Sequence, residues 1–303
     1  MKVIIHLGHH KTGSSYLQHC FVCRNEELAK NGVIYPTPQK HVKVEAEKKE
    51  LYSQNMGSCK QLIKTINKYK EKKFYQDKTL LFSSEHNFES FVYNREISER
   101  LAALGVDVEF IVFTRCPIEY LQSLYAQFVK RLGYTESIEG LLQLNSYKIE
   151  LLHKMENLIN IADSLHIPIY VYNYSNRKND LLNLFEKHLD VPHGTLRAET
   201  DGRVINRSLT PDEVLLARAF NKFLGKNKSI LVTEPLYVKL TELKAQKIKP
   251  EKQTLDKFIL NMNRDIDGFN KKYGSRFDTY DLMNADLVEG VESPECATLS
   301  PRS

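Results

Sequence analysis

No apolar run in this 303-residue chain approaches the ~20 residues that cross a bilayer, so no membrane span is expected. The opening stretch Met1-Lys2-Val3-Ile4-Ile5-His6-Leu7-Gly8 is too short for the apolar region of a signal peptide and reads as a strand. Cysteine is scarce: Cys20, Cys23, Cys59, Cys116 and Cys296 make five, an odd number. A disulfide framework is therefore not expected, and a reducing cytoplasm is. There is no internal repeat. Charged residues at 27% and apolar residues at 42% exclude a disordered or collagen-like chain and leave ample material for a core. At ~150 residues per domain, the length allows one large domain or two modest ones.

Net charge is 43 − 38 = +5, unevenly spread. Residues 60–78 hold seven Lys against one Glu and one Asp, and residues 222–252 hold eight Lys against three Glu. Residues 278–303 hold three Asp and three Glu against one Arg. Such lysine runs read as solvated helix faces, or as attraction for an anionic ligand or polymer. No recognition motif accompanies the charge, so nucleic acid is not an expected partner.

Apolar patterning predicts strands at 2–7, 79–83, 108–113 and 167–172, with a short extended piece at 33–36. Helices are predicted at 14–30, 59–72, 94–104, 149–165, 179–190, 211–224 and 254–273. Thr210-Pro211-Asp212-Glu213 is a helix start with Thr as N-cap, Pro at N1 and Glu at N3. Residues 37–58 are polar and irregular. Strands alternating with helices predict an α/β three-layer sandwich around a parallel sheet. Residues 1–275 form this domain, and the acidic residues 276–303, poor in large apolar groups, form a tail.

The loop after the first strand carries the chemistry. Gly8-His9-His10-Lys11-Thr12-Gly13-Ser14-Ser15 joins a strand to a helix start. Backbone N–H groups of such a loop, with the helix N-terminus behind them, bind an anion. Lys11 adds a full charge, and Ser14 and Ser15 add hydroxyls. This is not a Walker A loop, which needs Gly-Lys-Ser/Thr, whereas Lys11 precedes Gly13 by two positions. Strand 108–113 runs into Thr114-Arg115, where a nucleoside triphosphatase usually offers an Asp for Mg²⁺.

Arg115 falls at the carboxyl end of a central strand, where open α/β sheets bind ligands. In the following helix Leu121, Leu124, Tyr125, Phe128 and Leu132 form an apolar stripe, and Ser123 falls opposite it with Glu119 and Lys130. An Arg fork and a hydroxyl there suit a second phosphate. On spacing alone, a surface Arg and a solvated Ser are the favoured alternative.

Together these segments resemble the sulfotransferases that use 3′-phosphoadenosine 5′-phosphosulfate (PAPS), especially bacterial and carbohydrate-type members. Strand–Gly-x-x-Lys-Thr-Gly-Ser-Ser-x-Leu-Gln over residues 3–18 looks like their first phosphosulfate motif. Phe113-Thr114-Arg115-Cys116-Pro117, then Tyr120, Ser123, Tyr125 and Lys130-Arg131, resembles their second motif. Asn206-Arg207-Ser208-Leu209 also looks similar to bacterial members, without an assignable role. The resemblance implies a P-loop, nucleotide-kinase-like fold and sulfuryl transfer from PAPS as co-substrate to a hydroxyl, on a glycan, a glycolipid or a small compound. It implies that Gly8, Lys11, Thr12, Gly13, Ser14 and Ser15 hold the 5′-phosphosulfate. Arg115 and Ser123 would hold the 3′-phosphate. No metal is needed, because a positioned ammonium neutralises the leaving oxygen.

An acceptor hydroxyl must also lose a proton. Glu85 and His86, just after strand 79–83, are the candidate bases, with Glu85 favoured because Ser83-Ser84-Glu85 resembles the corresponding segment of carbohydrate-acting members. A capping Ser and a solvated acid is the alternative. His6, His9 and His10 crowd the first loop, and Cys20-x-x-Cys23 sits within a helix without a second pair. Neither pattern makes a metal site. An ATP-dependent P-loop kinase and a non-catalytic nucleotide- or glycan-binding module are the competing functions.

Overall fold

A computed structural model of the chain describes residues 1–8, 11–36, 55–85, 87–143, 146–197, 209–239 and 248–277. His9, His10, His86, residues 37–54, Asn206-Arg207-Ser208 and the acidic stretch from 278 onward lie outside the described residues. Five strands form one parallel sheet: β1 (Lys2–Gly8), β2 (Val33–Ile34), β3 (Thr79–Ser84), β4 (Asp107–Thr114) and β5 (Ile169–Asn173). Their spatial order is β2-β3-β1-β4-β5.

The sequence dictates burial on both faces. In β1, Val3, Ile4, Ile5 and Leu7 are all fully buried, the near-continuous apolar run of a strand covered on two sides. Val3, Ile5 and Leu7 share one core with Leu62, Phe91, Met155 and Phe258 from helices. Ile4 points the other way, into a core with Leu17, Phe21 and Phe185. β4 alternates in the same sense, Phe110 and Val112 to the first core, Ile111 and Phe113 to the second. The three-layer α/β architecture predicted from the alternation of elements is the observed one.

Several local readings hold closely. Helix Pro211–Leu224 begins with the expected capping box: the Glu213 carboxylate accepts from Thr210 N–H at 2.7 Å, and Glu213 N–H donates to Thr210 Oγ1 at 3.3 Å. Pro117 occupies the first turn of helix Pro117–Gln127. Other readings need correction. The helix expected over 14–30 breaks at Arg24 into Ser14–Cys23 and Asn25–Lys30, where Arg24 Nε donates to the Thr195 carbonyl at 2.9 Å. Helices Asn87–Tyr93, Ile138–Gln143 and Lys226–Lys239, the last with Pro235 inside it, were not legible from the pattern.

Helix Pro117–Gln127 continues into a π turn, Phe128–Leu132. A π turn inserts extra backbone and rotates the succeeding residues out of α-helical phase. The stripe expected from Leu121 to Leu132 therefore ends early: Val129 is buried, and Leu132 is 57% exposed.

Candidate functional site

In a parallel sheet every strand ends on the same edge. The register sets Leu7 beside Ser84, Gly8 beside Phe113, and Thr114 beside Asn173. Glu85 after β3, Lys11 after β1, Arg115 after β4 and Tyr174-Ser175 after β5 thus line one edge in spatial order. β1 feeds a helix that packs into the Phe21 core, while β3 and β4 on either side feed helices that pack into the opposite core. That reversal falls at the carboxyl end of β1, the kind of position where open α/β sheets take ligands.

The β1 loop is built tightly. Gly13 is the N-cap of helix Ser14–Cys23 at φ 77°, a conformation that favours glycine. A Cβ there would lie 2.8 Å from the Tyr174 ring and 3.2 Å from Leu181, so the closeness of β5's end also requires glycine. At Gly8 a Cβ would overlap Ser14 Oγ and lie 3.1 Å from Glu85 Cγ. Gly8 therefore lets the first turn of the helix and the Glu85 stem close over the strand end. Lys11 adopts φ 68°, the left-handed region that non-glycine residues rarely enter. Such strain persists only where the surroundings enforce it. Here Arg115 Nη1 donates to the Lys11 carbonyl at 2.8 Å.

Thr12 and Ser14 are fully buried, and Ser15 is half-buried. The Ser14 hydroxyl is buried and has no hydrogen-bond partner among the described residues. Gly13 has no side chain to cap helix Ser14–Cys23, although its carbonyl accepts from Tyr16 N–H at 3.0 Å. A buried hydroxyl at a helix start that has no side-chain cap, with a cation in the same loop, fits an anion bearing several acceptor oxygens.

Charge converges on Lys11. Burial pushes its ammonium below the ordinary lysine range, the Glu85 carboxylate acts in the opposite direction, and Arg115, Lys130 and Arg131 lower it further. One acid and four cations thus share a field at this edge. The π turn carries Lys130 and Arg131: Lys130 Nζ stands 5.1 Å from the Tyr237 ring centre, and Arg131 pairs with Glu234 at 2.6 Å.

Arg115 is held on three sides. Besides the Lys11 carbonyl, its Nε reaches Glu119 Oε2 at 3.4 Å, and its guanidinium lies 5.4 Å from the Tyr174 ring centre. Glu119 is buried and accepts from Ser175 Oγ at 2.7 Å, and Cys116 N–H donates to the same Ser175 oxygen at 3.2 Å. Helical spacing puts Glu119 on the outer side of its helix. The end of β5 covers that side and turns Glu119 into the anchor of Arg115. Tyr174 and Ser175 were missed as well. The one available signal was their place just after a strand of the same sheet. Ser123 lies one turn beyond Glu119, half-buried, and among the described residues makes no hydrogen bond to Arg115.

Beneath Glu85, His6 is fully buried in β1. Its Nδ1 lies 2.9 Å from Ser83 Oγ, which also accepts from Gln18 Nε2 at 3.0 Å. Burial pushes the His6 imidazole down to about 4. Among the described residues no group of three or more His, Cys, Asp or Glu is placed to hold a metal ion. No described helix is long and apolar enough to cross a membrane.

No protein-family model and no curated protein matches the chain. Solved structures do. A sulfotransferase from Alicyclobacillus acidocaldarius is 11% identical, over 75% of this chain and 93% of that one, with a TM-score of 0.41. The sulfotransferase domain from the curacin biosynthetic pathway is 13% identical, over 87% and 98%, with a TM-score of 0.37. Mouse sulfotransferase SULT7A1, complexed with PAP, is 14% identical, over 90% and 88%, with a TM-score of 0.42.

Proposed function

We propose that this chain is a PAPS-dependent sulfotransferase that moves a sulfuryl group to an acceptor hydroxyl on a glycan or glycolipid, without a metal. The observation that carries the reading is the pairing, on one sheet edge, of an anion cradle containing a strained, half-buried Lys11 with a braced Arg115 one strand away. Two cationic stations on neighbouring strands suit a nucleotide with phosphates at two positions. PAPS supplies an activated sulfuryl group and a phosphate leaving group.

In this reading Lys11, Thr12, Gly13, Ser14 and Ser15 bind the 5′-phosphosulfate, with the buried Ser14 hydroxyl gaining the partner it lacks. Gly8 lets Ser14 and the Glu85 stem close around the same strand end. Lys11 neutralises charge growing on the leaving oxygen. Arg115 binds the 3′-phosphate with Ser123 beside it. Glu85, on the opposite side of the cradle from Arg115, orients the acceptor hydroxyl and takes its proton, with His86 as the alternative base. The reading includes a cytoplasmic location, a single domain over residues 1–275 and an acidic tail over 276–303.

The test is transfer from radiolabelled PAPS to a panel of glycans and glycolipids in chelator. Turnover is expected, and Lys11→Ala should lower kcat by more than it raises the KM for the donor. Phosphorylation from ATP with an absolute Mg²⁺ requirement, and no sulfuryl transfer, would overturn the proposal.

A further inference from the structure

On two consecutive helices, Pro211–Leu224 and Lys226–Lys239, the usual sorting of side chains is reversed. The first buries Glu213 and Asn221 beside Val214 and Ala217, and the second buries Ser229 and Thr233 beside Tyr237. Outside stand Leu215, Leu216, Phe223, Leu224, Leu231 and Val232, six of the eleven large hydrophobic residues exposed among the described residues. At ~100° per residue, Leu215, Leu216, Phe223 and Leu224 share one half of their helix, with Val214, Ala217 and Asn221 on the other.

The inverted orientation is fixed by hydrogen bonds. Asn221 Nδ2 donates to the Val129 carbonyl at 2.8 Å and the Tyr134 carbonyl at 3.2 Å, both around the π turn. From the second helix Glu234 holds Arg131 of the π turn at 2.6 Å, while Thr233 Oγ1 is satisfied inside its own helix, on the Ser229 carbonyl at 3.0 Å. Rotating the first helix to hide its leucines would pull Asn221 off the Val129 and Tyr134 carbonyls, and rotating the second would break the Glu234–Arg131 pair.

At the junction of the two helices, Lys222-Phe223-Leu224-Gly225-Lys226-Asn227-Lys228 is exposed at every position. Phe223, at 85%, is the most exposed large hydrophobic residue described, and three lysines surround it. We infer that this helical pair docks peripherally on an anionic bilayer, with Phe223 and its apolar neighbours entering the headgroup–acyl boundary and the lysines meeting anionic headgroups. Lysine stems suit that depth, lying along apolar surface while their charges stay in the polar layer. The same charges argue against a second copy as occupant. An isologous pairing through this tip would set one lysine triplet against another.

The proposal concerns attachment and does not depend on the sulfuryl-transfer reading, and its test needs neither donor nor acceptor. The chain contains no tryptophan, so Phe223→Trp provides a lone fluorescent reporter at the tip. Vesicles of phosphatidylcholine mixed with phosphatidylserine should shift its emission to the blue, and vesicles of phosphatidylcholine alone should not. The unaltered protein should sediment with the mixed vesicles, less so as salt rises. Paired Phe223→Ser and Leu231→Ser should weaken binding by roughly tenfold or more, from the apolar burial lost. Lys222→Gln, Lys226→Gln and Lys228→Gln together should also weaken it. These positions are exposed, so circular dichroism and melting should be unchanged. If a variant does melt early, the reporter protein still reads binding. Failure to bind mixed vesicles, or equal binding to both kinds, overturns the proposal. A dimer in sedimentation equilibrium that Phe223→Ser dissolves also overturns it and assigns the face to contacts between copies.

Discussion

Arg115 is expected to decide which nucleotide the cradle prefers. Its guanidinium has five N–H donors. Nε is used on Glu119 and one Nη1 hydrogen on the Lys11 carbonyl, so 5 − 2 = 3 donors remain for a ligand. Tyr174 fixes the plane of the fork. Hydrogen bonds to a charged group contribute about 1.5–3 kcal/mol, which corresponds to a factor of about 10–150. Arg115→Ala would also release the Lys11 carbonyl, loosening the cradle for every nucleotide. The informative quantity is therefore the ratio of Kd for adenosine 5′-phosphate to Kd for 3′-phosphoadenosine 5′-phosphate, measured by calorimetry without Mg²⁺. That ratio should be large in the unaltered protein and collapse by about 10–150-fold in Arg115→Ala. Arg115→Lys keeps the charge without the fork and should fall between. If both affinities drop by one common factor, Arg115 merely braces the loop and the 3′-phosphate assignment is wrong.

Three further outcomes are expected. Glu85→Gln should leave cofactor binding near normal and cut turnover by about 100-fold, within the range for general-base catalysis. If His86→Ala abolishes turnover while Glu85→Gln spares it, the base is His86. The alkaline limb of kcat/KM should fall below the ordinary lysine value of 10.5, because burial and neighbouring cations depress Lys11. Lys130→Gln removes one of those cations, so the limb should move to higher pH, and no movement would separate the limb from Lys11. Stability should depend on His6. The unfolded chain protonates this imidazole as pH falls through 6.5, whereas the folded chain resists until about 4. Between those values the unfolded state binds more protons, so up to roughly 3 kcal/mol of stability present above 6.5 is lost by pH 4. Denaturant titrations of His6→Asn should show a flatter pH slope across that window.

The fold was legible where local chemistry and burial agree. β1 is so uniformly apolar that only a doubly covered strand suits it, and Thr210-Pro211-Asp212-Glu213 marks a helix start that tertiary contacts leave in place. It was not legible where distant contacts overrule the pattern. Helix Lys226–Lys239 contains Pro235, buries Ser229 and Thr233 beside Tyr237 and exposes Leu231 and Val232, so its apolar residues mark no single inside face. Likewise no local signal announces the π turn, which depends on Asn221, some ninety positions on, to accommodate the Val129 and Tyr134 carbonyls.

The site divides in the same way. Gly8, Lys11, Gly13 and Ser14 could be read from one short loop because their chemistry is local: a turn, a cation and a helix start. Glu119 could not, since its burial comes from Ser175, fifty-six positions along the chain. That contact also explains how the cradle holds its shape. Lys11 at φ 68° would relax if its carbonyl were released. The carbonyl is held by Arg115, Arg115 by Glu119, and Glu119 by the Ser175 hydroxyl just past β5. A guanidinium that reorganised on meeting a ligand would let the loop move with it. Three strand ends linked in series prevent this, so the same arginine can brace the first anion station and serve as the second.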